Sequence, residues 1–344
     1  MSMPADEVVL SFVEKINQGD LAGIKAMLAR DRTFDDLAGD VTSDAEVTAE
    51  GWLNYLTENP DYKIYIRQAF KSGNRVILIG HTTGSHLDLP ELVEFHTEGV
   101  IWLSEVNEGK VTTWQLLEDT QENYDARKLC EYDRLFKPAL YAKTIAKHLD
   151  LLPPGSRTQD VRNVRKFYSR LYQDAQPEEM LLLAEKLLFE EGYRFVPYEL
   201  IYYHPGAIKA MNAERALALG RDINDWSSAD IYAHFILGPA WKKGVVTDKH
   251  IHHWIASEDL WQRRAAVVST IYLDGDVDKM FHYTELLLDD HEDLIIKALS
   301  WVLRSAIQYD RDAVINFLDT YENRLAVRIK REVKNKLETG LKTP

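Results

Sequence analysis

The hydrophobic period of this chain changes once along its length, and that change decides what it can fold into. Between residues 61 and 119 the segments "DYKIYIRQAFKSGNRVILIGHTTGSHLDL" and "LVEFHTEGVIWLSEVNEGKVTTWQLLED" alternate β-branched and aromatic residues with polar ones, the period of strands. Ser72-Gly73-Asn74 and Asn107-Glu108-Gly109 supply hairpin turns. From about Arg157 onward the spacing is helical, with breaks expected at Gln176-Pro177, His204-Pro205-Gly206 and Gly238-Pro239. Strands grouped in front and helices grouped behind exclude an alternating βαβ fold and predict two separate regions. A helical stretch, "DEVVLSFVEKINQGDLAGIKAMLA", precedes the strands and is broken at Gly19-Asp20. The expected organisation is an α+β domain over 1–125, a partly helical connector over 126–157 ending near Pro153-Pro154-Gly155, and a helical domain over 158–344. A chain of 344 residues gives each domain room for its own core.

Composition narrows the class. The chain is 45% hydrophobic and 28% charged, a globular profile. Its first residues, "MSMPADEVVL", lack the basic and apolar regions of a signal peptide, and no apolar run nears the roughly 20 residues of a membrane helix. Cys130 is the one cysteine, which excludes an internal disulfide and a cysteine-based zinc cluster. A cytoplasmic protein with no membrane partner is expected. The net charge of −14 is uneven: residues 1–150 carry −11 and residues 151–344 only −3. Near the end, "RLAVRIKREVKNK" (324–336) has six bases against one acid, a stripe suited either to solvent or to phosphates.

The front pattern, helices and then long antiparallel strands ending in "NEGKVTTWQLLED", resembles the SnoaL-like or nuclear-transport-factor-2-like family over about residues 5–125. That resemblance implies a cone, a curved antiparallel sheet with helices, enclosing an apolar pocket where some members use an Asp or His as a base. The candidates are His81, His96 and Asp119, with Trp102, Trp114 and one of Tyr62 or Tyr65 as walls. His96 and Trp102, an even number of positions apart, are expected on one strand face. A small-molecule pocket or a homodimer surface is the expected use of this domain.

In the rear half "EDLWQRRAAVVSTI" begins at Glu258 and "EDLIIKALSWVLRS" at Glu292, a repeat of 34 residues that suits an α-solenoid. Ahead of both, "NDWSSADIYAHF" sets Trp226 and Asp230 one helical turn apart, with Asn224 or Asp225 available as the cap. "NDWSSADIYAHFILGP", "WIASEDLWQRRAAVV" and "IIKALSWVLRSAI", in this order and spacing, resemble the HEAT-like-repeat DNA alkylpurine glycosylases of the DNA alkylation repair family. The resemblance runs from about Thr158 to the C-terminus and is strong through 224–331. It implies an all-α HEAT-like repeat solenoid cradling duplex DNA, with Trp226, Asp230 and Trp301 lining the cleft for the damaged nucleotide. It also implies phosphate contacts from Arg264 and Arg304; Arg263 beside them, Lys297, and Arg328 and Arg331 of the basic stripe are further candidate DNA contacts. Asp225 departs from the family, which often places an aromatic residue before the tryptophan.

The residue types suit the implied chemistry. An N7-alkylguanine or N3-alkyladenine is already cationic, leaves as a neutral base, and needs no general acid. The sugar cation left behind wants an anion, which Asp230 near a helix start supplies in ionised form, and π-rich walls. No lysine neighbours Trp226 and Asp230, so a monofunctional hydrolase without a lyase step is expected, needing no cofactor and no metal and having no base-flipping pocket. The alternative is an inactive DNA-binding or scaffold protein whose front domain binds a small molecule or dimerises.

Overall fold

The computed structural model describes residues 3–35, 41–42, 45–97 and 99–343. The chain divides into two compact units, Met1–Tyr168 and Ser169–Pro344. Among the described residues no helix is long and apolar enough to cross a membrane.

Among the described residues the first unit has seven strands: β1 (Leu28–Asp35), β2 (Val41–Thr42), β3 (Lys63–Ser72), β4 (Arg75–Thr83), β5 (Gly99–Asn107), β6 (Lys110–Glu118) and β7 (Asp133–Leu135). Their order is β2-β1-β6-β5-β4-β3-β7, an unclosed sheet in which only β1 and β6 run parallel. The two expected hairpins join β3 to β4 and β5 to β6. Bulges bend the sheet, and one shifts the β3–β4 register between Ile66 and Gln68, at Arg67. Gly80 faces Ile66 across that bulge, where a Cβ would overlap the Tyr65 carbonyl. No other residue fits there without moving the strand.

Helix α1 (Ala5–Gln18) ends on Gly19 in the left-handed region, and Asp20 then caps α2 (Leu21–Met27), so the expected break is a glycine C-cap followed by an aspartate N-cap. Val8, Val9, Phe12, Val13 and Ile16 of α1 are buried, and the Phe12 ring meets Trp114 of β6 at 5.0 Å. Trp52 of α3 (Ala45–Glu58) meets Phe12 at 6.4 Å. Asn17 pins α1 to the sheet by exchanging two side-chain bonds with the backbone of Ile64, at 2.7 and 2.9 Å. The other sheet face buries Ile77, Ile79, Ile101 and Leu103 beneath Leu129, Tyr124 and Tyr132.

The stretch 121–150 therefore covers a sheet face. It forms α5 (Gln121–Ala126), the edge strand β7 and α6 (Pro138–Asp150), whose Thr144 hydroxyl donates to the Ile66 carbonyl at 2.6 Å. The absence of strand alternation noted there misses β7, because three residues are too short to show a period. Helix α4 (Glu91–Thr97) corrects a second expectation. His96 lies on this helix and not on a strand with Trp102, since Leu92 and Phe95 follow Pro90 at helical spacing.

Asp6 of α1 accepts from Lys71 at 2.7 Å and Lys137 at 2.8 Å. Burial raises its carboxyl, but the bonds and charges of Lys137 and Lys71 outweigh that and hold it down to about 2. A depressed folded value stabilises above the unfolded value and is lost as pH falls through the folded one. Between about pH 4 and pH 2 the first unit should lose about 1–2 kcal/mol on this account, discounted for solvent screening. Urea unfolding of Asp6→Asn beside wild type checks this: the variant should start less stable at pH 6 and converge on wild type at pH 2.

Helix α7 (Thr158–Leu171) carries the chain into the second unit, which is helical throughout. It contains α8 (Pro177–Phe189), α9 (Phe195–Tyr203), α10 (Ala207–Ala210), α11 (Ala213–Ala218), α12 (Trp226–Tyr232), α13 (Gly238–Lys242) and α14 (Asp248–Ile255). There follow α15 (Leu260–Ser269), α16 (Val277–Glu285), α17 (Asp293–Ala306), α18 (Arg311–Thr320) and α19 (Val327–Thr339). Helices α12, α15, α17 and α19 pack in succession, with α16 and α18 placed between them in sequence. The two segments spaced by 34 residues open α15 and α17, which occupy consecutive places in that row.

The break expected at Gly238-Pro239 is not a break. A π-helical stretch, Ala233–Leu237, joins α12 directly to α13, and the Gly238 N–H donates to the Ala233 carbonyl. Proline lacks the donor that an α-helix needs, and a widened turn ahead of it removes the clash with the preceding carbonyl.

Candidate functional site

Asp225 caps α12: its carboxylate accepts from the Ser228 N–H at 2.9 Å and also from the Ser228 hydroxyl. Burial raises its carboxyl, but these bonds outweigh that and lower it. The cap fixes where the helix begins, and so sets Trp226 and Asp230 on one face, a turn apart. Trp226 is 58% exposed. A large apolar ring left in water at a helix start is not a core tryptophan.

Asp230 is half-buried and takes a forked pair of bonds from Arg264 of α15: Nε donates to Oδ1 at 2.9 Å and Nη2 to Oδ2 at 2.8 Å. Arg264 is only 5% exposed, and its Nη1 donates to the Leu294 carbonyl of α17. One guanidinium thus ties together three helices of the row. Burial pushes the Asp230 carboxyl up, the bonds and charge of Arg264 pull it down, and the charge of Asp225 pushes up again; the net shift is upward. Each carboxylate oxygen that accepts from Arg264 keeps a further lone pair for a water or a sugar.

Sequence reasoning missed an aromatic cluster around His234, one helical turn beyond this carboxylate. Burial, and after it the charge of Asp230, push the Tyr272 hydroxyl up to about 12. Its ring meets that of His234 at 4.3 Å, and Tyr202 lies 6.0 Å from His234. Tyr202 and Tyr203 are exposed at the end of α9. His234 follows Asp230 by four positions within the quoted segment, a signal that was present. Tyr272 has no local signal, because it arrives from the far end of α15.

Gly238 allows that arrival. A Cβ there would lie 2.9 Å from the Tyr272 Cβ and 3.1 Å from the Ser269 carbonyl, both on the neighbouring element. Gly238→Ala should destabilise the protein by about 1–3 kcal/mol through overpacking, read as a lower urea midpoint. An unchanged midpoint would show that the contact gives way freely.

The remaining candidates fall into intramolecular networks. Arg263 donates to Asp290 at 2.8 Å and to the carbonyls of Ser257 and Glu258 at 2.9 Å. Lys297, Trp301 and Arg304 share one stripe of α17, with Trp301 half-buried. Lys297 pairs with Asp293 at 2.7 Å, and Arg304 lies 3.9 Å from Glu332. Arg328 pairs with both Asp293 and Glu332, while Arg331 is exposed. Burial lowers the Arg304 guanidinium against the opposing charge of Glu332. The structure brings Asp230 to Arg264, Arg304 of α17 to Glu332 of α19, and Arg328 of α19 to Asp293 of α17. Among the described residues no ring contact joins Trp226 to Trp301.

In the first unit Trp102 is fully buried and Asp119 pairs with Arg67 and with the Tyr124 hydroxyl. The exposed His96 meets His148 of α6. Of the front candidates, Trp102, Trp114 and Tyr62 are thus core positions, Asp119 lies in an ion pair, His81 stacks on Phe95 and His96 makes a surface contact.

Comparison with known proteins bears on both units. A family model described as DNA alkylation repair enzyme matches residues 102–337, and one described as SnoaL-like domain matches residues 9–114. No curated protein matches the chain. Among solved structures, an uncharacterized cystatin fold protein from Novosphingobium aromaticivorans is 18% identical, over 34% of this chain and 99% of its own, with a TM-score of 0.30. An NTF2-like protein of unknown function from Cytophaga hutchinsonii is 17% identical, over 36% of this chain and 97% of its own, with a TM-score of 0.28. An LEH-like epoxide hydrolase of M. tuberculosis is 17% identical, over 37% of this chain and 89% of its own, with a TM-score of 0.27.

Proposed function

The chain belongs to the DNA alkylation repair enzyme family, and from that premise we propose that its second unit is a monofunctional DNA glycosylase. Its substrates are cationic purines, N7-alkylguanine and N3-alkyladenine, in duplex DNA, and its action is hydrolysis of the N-glycosidic bond in the cytoplasm. The observation that carries the reading is the Asp230 carboxylate, gripped at both oxygens by a buried arginine beside an exposed tryptophan.

The chemistry follows from charge. As the neutral base departs, the sugar becomes an oxocarbenium ion. A carboxylate about 4 Å away at an effective dielectric of about 20 stabilises it by on the order of 4 kcal/mol, or about three powers of ten in rate. Arg264 subtracts from that figure by its own charge, but it aims the carboxylate and counters the burial that would protonate it. Arg264 is in this reading a positioning residue. Trp226 and Trp301 are the π-faces of the cleft, each adding about 0.5–2 kcal/mol of cation–π attraction. Arg304, Lys297, Arg328 and Arg331 form the basic edge that meets phosphates, in part by exchanging Asp293 and Glu332 for them. The helical row acts as a HEAT-like solenoid that cradles the duplex and reaches the lesion through its sugar, without a base pocket.

The test is incubation of the full chain with duplex DNA carrying N7-methylguanine, measuring free base and abasic sites. Release of base without strand cleavage supports the reading. Salt-sensitive binding with no base released would reduce the protein to a DNA binder, and neither binding nor release would remove DNA from the account.

A further inference from the structure

We propose that His96 and His148 of the first unit form a two-histidine site for a late divalent transition ion of the nickel or copper class. His96 is on α4 and His148 on α6, with their Nε2 atoms 2.9 Å apart. The His96 Nδ1 lies 2.7 Å from the Leu92 carbonyl, which can only accept, so Nδ1 carries the proton and Nε2 is a bare lone pair. The His148 Nδ1 lies 3.3 Å from the Tyr168 hydroxyl, which can accept from it. With that tautomer both Nε2 lone pairs face one another and need a cation between them. An outer partner holding the far nitrogen of each ring is the arrangement that orients metal-binding imidazoles.

The ring geometry matches two ligands cis to one ion more closely than a hydrogen bond aligned with both rings. A hydrogen bond aligned with both rings at this nitrogen separation would put the centroids about 5.2 Å apart, whereas two rings bound cis to one ion at about 2.0–2.1 Å would put them about 4.5 Å apart. The observed separation is 4.6 Å, with planes crossing at 81°. The nitrogen spacing selects the ion as well. Bonds of that length reach 2.9 Å between nitrogens at an angle near 90°, the cis angle of square-planar and octahedral ions, while a tetrahedral ion wants about 3.3 Å.

The site is preformed and reachable. Phe95, Phe167 and Tyr168 surround the His148 ring at 5.3, 6.3 and 5.7 Å and fix it, while His96 is exposed. His81 lies across Phe95, its ring stacked at 4.7 Å. Among the described residues no group of three or more His, Cys, Asp or Glu is arranged around a metal. The protein therefore supplies two ligands, and water fills the other positions.

The test uses the full chain without an added histidine tag. At one equivalent of Cu2+, electron paramagnetic resonance should show hyperfine coupling to two imidazole nitrogens. Calorimetry with Ni2+ should show one equivalent whose affinity falls at least about tenfold in His96→Gln. Because His96 is exposed, that variant should keep the metal-free unfolding temperature of wild type. Tyr168→Phe, which removes the oxygen holding the His148 ring, should weaken binding less than His96→Gln. Equal uptake and affinity in wild type and His96→Gln would place the metal on other histidines and overturn the assignment. Zinc bound more tightly than nickel would overturn the right-angle geometry.

Discussion

Asp230→Asn is expected to reduce N7-methylguanine release from methylated duplex DNA by about three powers of ten. Asparagine keeps the shape and one acceptor for Arg264 but not the charge, so the loss isolates electrostatic stabilisation of the sugar cation. Duplex affinity should hold or rise, because a negative charge leaves the neighbourhood of phosphates. The loss should therefore appear in the single-turnover rate and not in the DNA concentration needed for saturation. Arg264 would be left buried without its counter-charge, so the variant's unfolding midpoint must be measured and the assay run well below it. A folded variant within threefold of the wild-type rate would sink the carboxylate's role.

The division of the molecule was legible because period is a global property of a segment. Alternation from Lys63 to Glu118 announced four strands in two hairpins, and these are β3 to β6. What covers the second sheet face was not legible. Val76 to Ile79 are buried without interruption, so β4 is covered on both sides, yet the covering stretch 121–150 has no period of its own to advertise the fact. His96 was misplaced for a related reason. A seven-residue helix between strands offers two turns of spacing, too few to outweigh the alternation around it. Pro239 misled in the opposite direction, since a π-helical turn costs few residues and leaves no trace in composition.

The site divides along the same line between local and distant information. The Asp225 cap and the stacking of Trp226 over Asp230 follow from a dozen residues and were readable. The partner of Asp230 stands 34 positions away, and that spacing belongs to the repeat: Arg264 occupies in one helix of the row the place from which it reaches back to the previous helix and forward to Leu294. The resemblance implied a phosphate contact for Arg264, whose guanidinium instead forks onto Asp230, because a motif does not show which acids approach each base. Arg263 with Asp290 and Arg328 with Asp293 make the same point.

Removing the other half of that pair should have the largest effect on stability. Arg264→Met fills much of the same volume and leaves the Asp230 carboxylate buried without a cation, a change that costs about 3–5 kcal/mol. Its pH dependence identifies the cause. Burial and the charge of Asp225 already raise the Asp230 carboxyl, and only Arg264 opposes them. Without Arg264 the folded value climbs further above the unfolded one, so the protonated form stabilises the fold at low pH and that support is lost as pH rises through the folded value. The deficit of Arg264→Met against wild type should thus be small near pH 4.5 and full near pH 8. The proposed glycosylase activity, which in that reading uses the ionised carboxylate, should recover in the opposite direction as pH rises. Adding Asp230→Leu should return most of the lost stability while leaving the protein inactive, because an apolar pair in place of a buried ion pair is close to neutral. Urea unfolding at the two pH values decides it: a deficit independent of pH, or a double variant as unstable as the single one, would mean that Arg264 works through packing and not through the charge of Asp230.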